Sequence, residues 1–316
     1  MGVDASTSQV PDAASRPTPA ARGEKRATTS SAAHPTGSAG TPTPTARVTA
    51  IQTGATLVSP AVPDRSARRS PLAYTGLLQR RASRIQVPVK AFLVQVADHC
   101  VLVDAGWSEA CATSPLSHLG FSLWFASEPV LAPGEGIGPQ LARLGLSPAD
   151  LDAVVLTHLD CDHASGLADL TTARRVIASP QEIDRAGKGG ARYRRALWDG
   201  VNLEPAPLSP DSSAPFGQSC DLFGDGSLRL VLTPGHTEGS MCVVATNPSD
   251  GRFVVLAGDC GYNARSWDDL RLPGPLADAG QMQRSLEWVA SMRRQPDCAG
   301  VFAAHDPAVP AGAIDF

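Results

Sequence analysis

From about residue 85 onward, short runs of apolar, β-branched residues alternate with stretches whose apolar positions recur at helical spacing. KAFLVQV and HCVLVDAG are separated only by Ala97 and Asp98, and they predict a hairpin of two strands closed at Gly106. The series continues through LDAVVLT, RRVIAS, LRLVLT, SMCVVAT, FVVLAG and AGVFAA. Most of these runs are apolar at successive as well as alternate positions, which is what a strand covered on both faces requires. Helices are expected between them. IGPQLARLGL (137–146) precedes a second start signal in which Ser147 caps, Pro148 takes the first position and Asp150 the third. Ser179, Pro180 and Glu182 repeat that arrangement before EIDRAGKGGARYRRALW, and Met282, Leu286, Val289 and Met292 mark the apolar face of a last helix. The pattern predicts an α/β domain over residues 71–316, a four-layered αββα sandwich of two facing sheets with helices outside.

The periodic signal is missing at the start. Residues 1–70 are dominated by Ser, Thr, Ala, Pro and Gly, as in SSAAHPTGSAGTPTPTA, and are expected to form a disordered extension. They carry eight Lys/Arg against four Asp/Glu, so the formal charge of −4 divides into +4 on the extension and −8 on the remainder. An acidic body with scattered basic residues ahead of it argues against a nucleic-acid partner. No apolar run reaches the roughly 20 residues of a membrane span, no signal segment follows Met1, and a cytoplasmic location is the default expectation. The seven cysteines are odd in number, without a CxxC pair, and are expected as buried thiols instead of a disulfide or zinc–thiolate framework.

The chemistry concentrates in THLDCDHASG (157–166), where His158, Asp160, Asp162 and His163 fall within six positions. In an extended segment the first three project to one side, and a turn after Asp162 brings His163 to the same centre. A polar loop whose acids cap a following helix explains the cluster equally well when it is considered alone. Three further strand ends shift the balance: LVLTPGHTEGS offers His236, VVLAGDCG offers Asp259 and GVFAAHD offers His305. Strand-end loops of one layered domain converge on a site. Imidazole and carboxylate donors without thiolate suit zinc, and also manganese, iron or cobalt. Asp259 is the natural bridge between two ions. His34, His99 and His118 lack such surroundings and are not expected as ligands.

With these motifs in this order, the chain resembles the metallo-β-lactamase-fold hydrolases, and within them it is most similar to the N-acyl homoserine lactonases. The resemblance runs from VPVKAFLVQVADHCVLVDAGW through THLDCDHASG, LTPGHTEGS and AGDCGY to AAHD. The lactonases carry a tyrosine three positions after the bridging aspartate, as Tyr262 follows Asp259. The resemblance implies two divalent metal ions, zinc first, with manganese or iron as alternatives. His158, Asp160 and His236 would hold the first, Asp162, His163 and His305 the second, and Asp259 would bridge them. It implies that a metal-bridging hydroxide opens an acylated lactone or a related ester, with Tyr262 donating to the oxyanion and Asp162 handling a proton. Phe121, Leu123, Trp124 and Phe125 are candidates for an acyl groove, although such a cluster is more often core or a homodimer contact.

The departure from the family is Asp160, because the usual motif is HxHxDH and this chain has HxDxDH. A third carboxylate would lower the net charge of the loaded centre from about +1 to about zero and weaken its Lewis acidity. A glyoxalase II-like thioester hydrolase is the nearer alternative. The diiron oxidoreductases of the same fold, which carry a carboxylate at the Asp160 position, are the more distant one.

Overall fold

The computed structural model describes residues 46–67, 70, 72–77 and 79–316. In chain order these form β1 (Ala46–Val58), β2 (Ile85–Val96), β3 (His99–Val103), α1 (Ala110–Thr113), α2 (Pro115–Ala126), β4 (Glu128–Val130), α3 (Ile137–Arg143), β5 (Ala153–Val155), α4 (Cys161–Ala164), β6 (Val176–Ala178), α5 (Pro180–Gly187) and β7 (Leu203–Pro205). The second half contains β8 (Ser209–Pro210), β9 (Gln218–Asp221), β10 (Leu228–Leu232), β11 (Met241–Thr246), β12 (Phe253–Leu256), α6 (Ala264–Asp268), α7 (Ala279–Arg293), β13 (Cys298–Phe302) and β14 (Gly312–Asp315).

One mixed sheet runs β14-β1-β2-β3-β5-β6-β7, with β4 beside β1, and a second runs β13-β12-β11-β10-β9-β8. The strands are apolar at consecutive positions because each has two faces to cover. On β2, Phe92 and Val94 point inward and join Val101 and Val103 against Leu230, Leu232, Val243 and Leu256 of the other sheet. Leu93 points the opposite way, into a layer with Leu102, Val154, Leu119, Ile137 and Leu141. On the far side, Val231, Val244 and Val255 meet Met282, Leu286, Val289 and Met292 of α7. Helix, sheet, sheet and helix therefore stack as the αββα sandwich that the periodicity predicts.

Two local expectations change, and one segment for which no element was expected is a helix. A strand, β1, occupies Ala46–Val58, within the stretch expected to be extension, where Val48, Ala50 and Ile51 are buried. Its Ala, Thr and Gly content resembles that of the residues before it, but a strand hydrogen-bonded to β14 on one side and β2 on the other needs only small inward side chains. His34 lies outside the described residues. Next, the Phe121 segment is a helix, α2, broken at Gly120, whose φ of +73° only glycine adopts freely. Finally, α5 stops at Gly187, and Gly189 and Gly190, both at positive φ, turn the chain away from the expected continuation to Trp198. Ser179 caps α5 by accepting from the Glu182 N–H at 3.0 Å, as predicted. Ser147 and Asp150 form their reciprocal box around a single 3-10 turn.

Candidate metal centre

Every candidate ligand follows a strand. The chain leaves β5 through Thr157 and His158, reaches Asp160 in extended conformation and enters α4 at Cys161, so that Asp162 and His163 sit in the first helical turn. His236 follows β10, Asp259 follows β12 and His305 follows β13. The structure brings all seven together. His158, His236 and Asp259 offer ligand atoms within 4.8 Å of one another, and so do Asp162, His163 and His305. Asp259 lies between the two groups, its Oδ1 3.2 Å from both His163 Nε2 and His305 Nε2 and its Oδ2 3.4 Å from His236 Nε2.

The outward nitrogens of three histidines are tied down, which fixes the tautomer that aims Nε2 inward. His305 Nδ1 donates to the Pro88 carbonyl at 2.8 Å. His163 Nδ1 donates to Asp104 Oδ2 at 2.8 Å. The Thr157 hydroxyl donates to Asp104 at 2.9 Å, leaving its oxygen to accept from His158 Nδ1 at 3.0 Å. Divalent ions fit these donors. His158 Nε2 and Asp259 Oδ1 are buried without a hydrogen-bond partner, an arrangement that is costly unless a cation completes it. The surroundings also favour positive charge: burial pushes the His163 imidazole down, but Asp104 and Asp259 more than offset it and raise it well above its ordinary range.

Asp160 is placed differently from its neighbours. Its Oδ2 is 3.0 Å from His236 Nε2 and 3.4 Å from His158 Nε2, yet both carboxylate oxygens are taken by Arg192, with Nε donating to Oδ1 at 2.5 Å and Nη2 to Oδ2 at 2.7 Å. Burial pushes the Asp160 carboxyl up, but the Arg192 guanidinium prevails and holds it well below the usual carboxylate range. The charge expectation changes accordingly. While this pair is intact, the guanidinium cancels the charge of the third carboxylate.

A cavity of about 570 Å³ opens on the centre, reached by Asp160, Asp162, Arg192, His236, Asp259 and His305. Phe121, Leu123 and Phe125 form part of its wall, whereas Trp124 packs toward the core. Val58 and Val62, from residues expected to be extension, form another part together with Leu72. Tyr262 is buried at the inner end, its hydroxyl donating to Asp259 Oδ2 at 2.5 Å and its ring stacked on His305 at 4.9 Å. Burial and the neighbouring Asp259 and Asp162 push its phenol well above the ordinary value, so it stays protonated and able to donate. His99 pairs instead with Asp225 at 3.1 Å and stacks on Phe223, and neither it nor His118 joins the centre.

Residues 84–305 match the family model described as the metallo-beta-lactamase superfamily. The chain belongs to that superfamily. Among curated relatives, it is 28% identical over 233 residues to the N-acyl homoserine lactonase AttM of Azorhizobium caulinodans, covering 72% of this chain and 86% of AttM. Two solved structures share the superfamily fold. An N-acyl homoserine lactone hydrolase with the product N-hexanoyl-L-homoserine at its catalytic metal centre superposes with a TM-score of 0.66 at 18% identity, covering 83% of this chain and 94% of that one. AidC, described as a dizinc quorum-quenching lactonase with the same product, gives 0.54 at 17% identity, covering 86% and 94%. Membership in the metallo-beta-lactamase superfamily, together with this donor set, makes the chain a metal-dependent hydrolase. Among the described residues no helix is long and apolar enough to cross a membrane.

Two residues of this superfamily site carried no role in the sequence reading. Asp104 ends HCVLVDAG, and its isolation in an apolar run was the available signal. Arg192 follows the glycine pair of AGKGGAR, which marks a turn, but nothing in that spacing points to Asp160.

Proposed function

We propose that the chain opens N-acyl homoserine lactones or closely related carboxylic esters at a two-ion centre. His158, His236 and Asp259 hold one ion, and Asp162, His163 and His305 hold the other. The observation that carries this reading is the junction of those six donors with a largely apolar cavity of about 570 Å³, large enough to take an acylated ring with its chain. The lactonase names of the relatives support the substrate class, and the zinc of AidC together with the nitrogen and oxygen donors makes zinc the first candidate.

When bound, the ions supply Lewis acidity and bring the pKa of an attacking water toward neutrality. Everything else falls to the chain. The apolar wall at Phe121, Leu123 and Val58 holds the acyl tail and excludes water from the reacting carbonyl. Tyr262, protonated and next to Asp259, donates a hydrogen bond to the developing oxyanion or to the departing alkoxide. Asp162, the most solvent-accessible of the six donors, takes the proton released on attack and returns it to the leaving oxygen.

To test this, the full chain is supplied with excess zinc, manganese or iron, metal per chain is counted by elemental analysis, and N-hexanoyl- and N-decanoyl-homoserine lactone are assayed beside a thioester and a β-lactam. Up to two ions per chain and preferential lactone opening are expected. Tyr262→Phe should lower kcat by about 10²-fold or more while keeping the metal content. Fewer than one ion per chain with no lactone opening sinks the reading, and a thioester preference redirects it to the alternative.

A further inference from the structure

We infer that the two subsites are unequal because Arg192 is a built-in cation of the first, its guanidinium held by Asp160 where it competes with a metal ion for His236 Nε2. The inference rests on the two-ion reading above and adds which ion is held weakly and by what.

A guanidinium can only donate, so Arg192 Nη2, 2.7 Å from each, is the one donor shared by two acceptors that lie 3.0 Å apart, Asp160 Oδ2 and His236 Nε2. That nitrogen has one lone pair in the ring plane. A metal ion would need the same lone pair at about 2.0–2.1 Å, and both cations cannot use it at once. For an ion to enter, Arg192 must therefore withdraw from His236. Withdrawal breaks the bidentate pair with Asp160 and the 2.9 Å bond from Nη1 to the His236 carbonyl, which are charge-assisted contacts. The residue has somewhere to go. Its side chain is 25% exposed and lies on the cavity wall.

The second subsite has no such competitor. Among the described residues, no Lys or Arg side chain pairs with Asp162, His163 or His305, and Asp259 Oδ1 faces the latter two. Asp160 thus acts as a positioning residue for Arg192. The first subsite is the one that loads last.

Full-length chain stripped with a chelator is titrated with Zn²⁺ and Co²⁺ against a chromophoric competitor, with Co²⁺ absorption following each subsite. Wild type should show two classes of ion, the second weaker by about tenfold or more, since a like charge within contact distance must be displaced. Arg192→Gln should tighten the weaker class by about tenfold and leave the tighter class unchanged. Arg192→Lys, which keeps the charge but not the fork, should fall between them. Equal affinities in wild type, or a weaker class that is unmoved or lost in Arg192→Gln, overturn this inference and leave the hydrolase reading standing. If no ion is retained by any of the three proteins, both fall.

Discussion

Asp104 stands at φ +61°, a conformation few residues other than glycine adopt, and its carboxylate organises both halves of the centre. It accepts from the Thr157 N–H at 2.8 Å, from the Thr157 hydroxyl and from His163 Nδ1, so one group orients His163 directly and His158 through Thr157. Asparagine has the same shape and tolerates the left-handed backbone, but it supplies no negative charge to His163. Asp104→Asn should therefore keep the fold and lose metal affinity by about 10–100-fold, seen as faster loss of zinc to a chelator. Retention equal to wild type would remove Asp104 from the centre. The seven residues that the structure gathers were legible as candidates in the sequence because histidine and aspartate at several strand ends are uncommon as packing residues. Asp104 and Arg192 were not, because their partners lie 59 and 32 positions away and no local pattern encodes that distance.

The strands were legible at the scale of elements wherever both faces are buried, as in β2, β10 and β12, since a run such as FVVL admits little else. What the periodicity could not reveal is how helices aim the loops. The loop carrying His236 is pressed against the start of α7: Ser285 Oγ donates to the Pro234 carbonyl at 2.7 Å, and the Ala277 N–H donates to the Gly235 carbonyl at 2.9 Å. Gly235 has φ +135°, and a Cβ there would lie 2.3 Å from the Met282 backbone nitrogen. Gly235→Ala must push the loop off the helix or distort both. A loss of about 2–3 kcal/mol in denaturant unfolding is expected, with weakened metal binding through His236. An unchanged midpoint would show that the loop is not fixed by α7.

The whole molecule depends on β1, the strand whose composition hid it. It is an inner member of its sheet, its register running from Ala46 opposite Val96 to Val58 opposite Ile85, and Gly54 at its bulge lets β4 approach, since a Cβ there would lie 2.5 Å from Leu131 Cβ. Thr56 and Val58 continue from that strand into the cavity wall, so one segment serves both the core and the proposed acyl site. Two truncations separate this from the boundary that composition suggests. A chain beginning at residue 43 retains the compact unit that spans Thr43–Phe316 and should melt within a few degrees of the full chain. A chain beginning at residue 71 leaves the β2 edge unpaired, exposes the faces that Val48, Ala50 and Ile51 cover, and should be insoluble or unfolded by circular dichroism. If that shorter chain folds and keeps its metal, β1 is an accessory strand, and the cavity wall it supplies can be lost without harm to the centre.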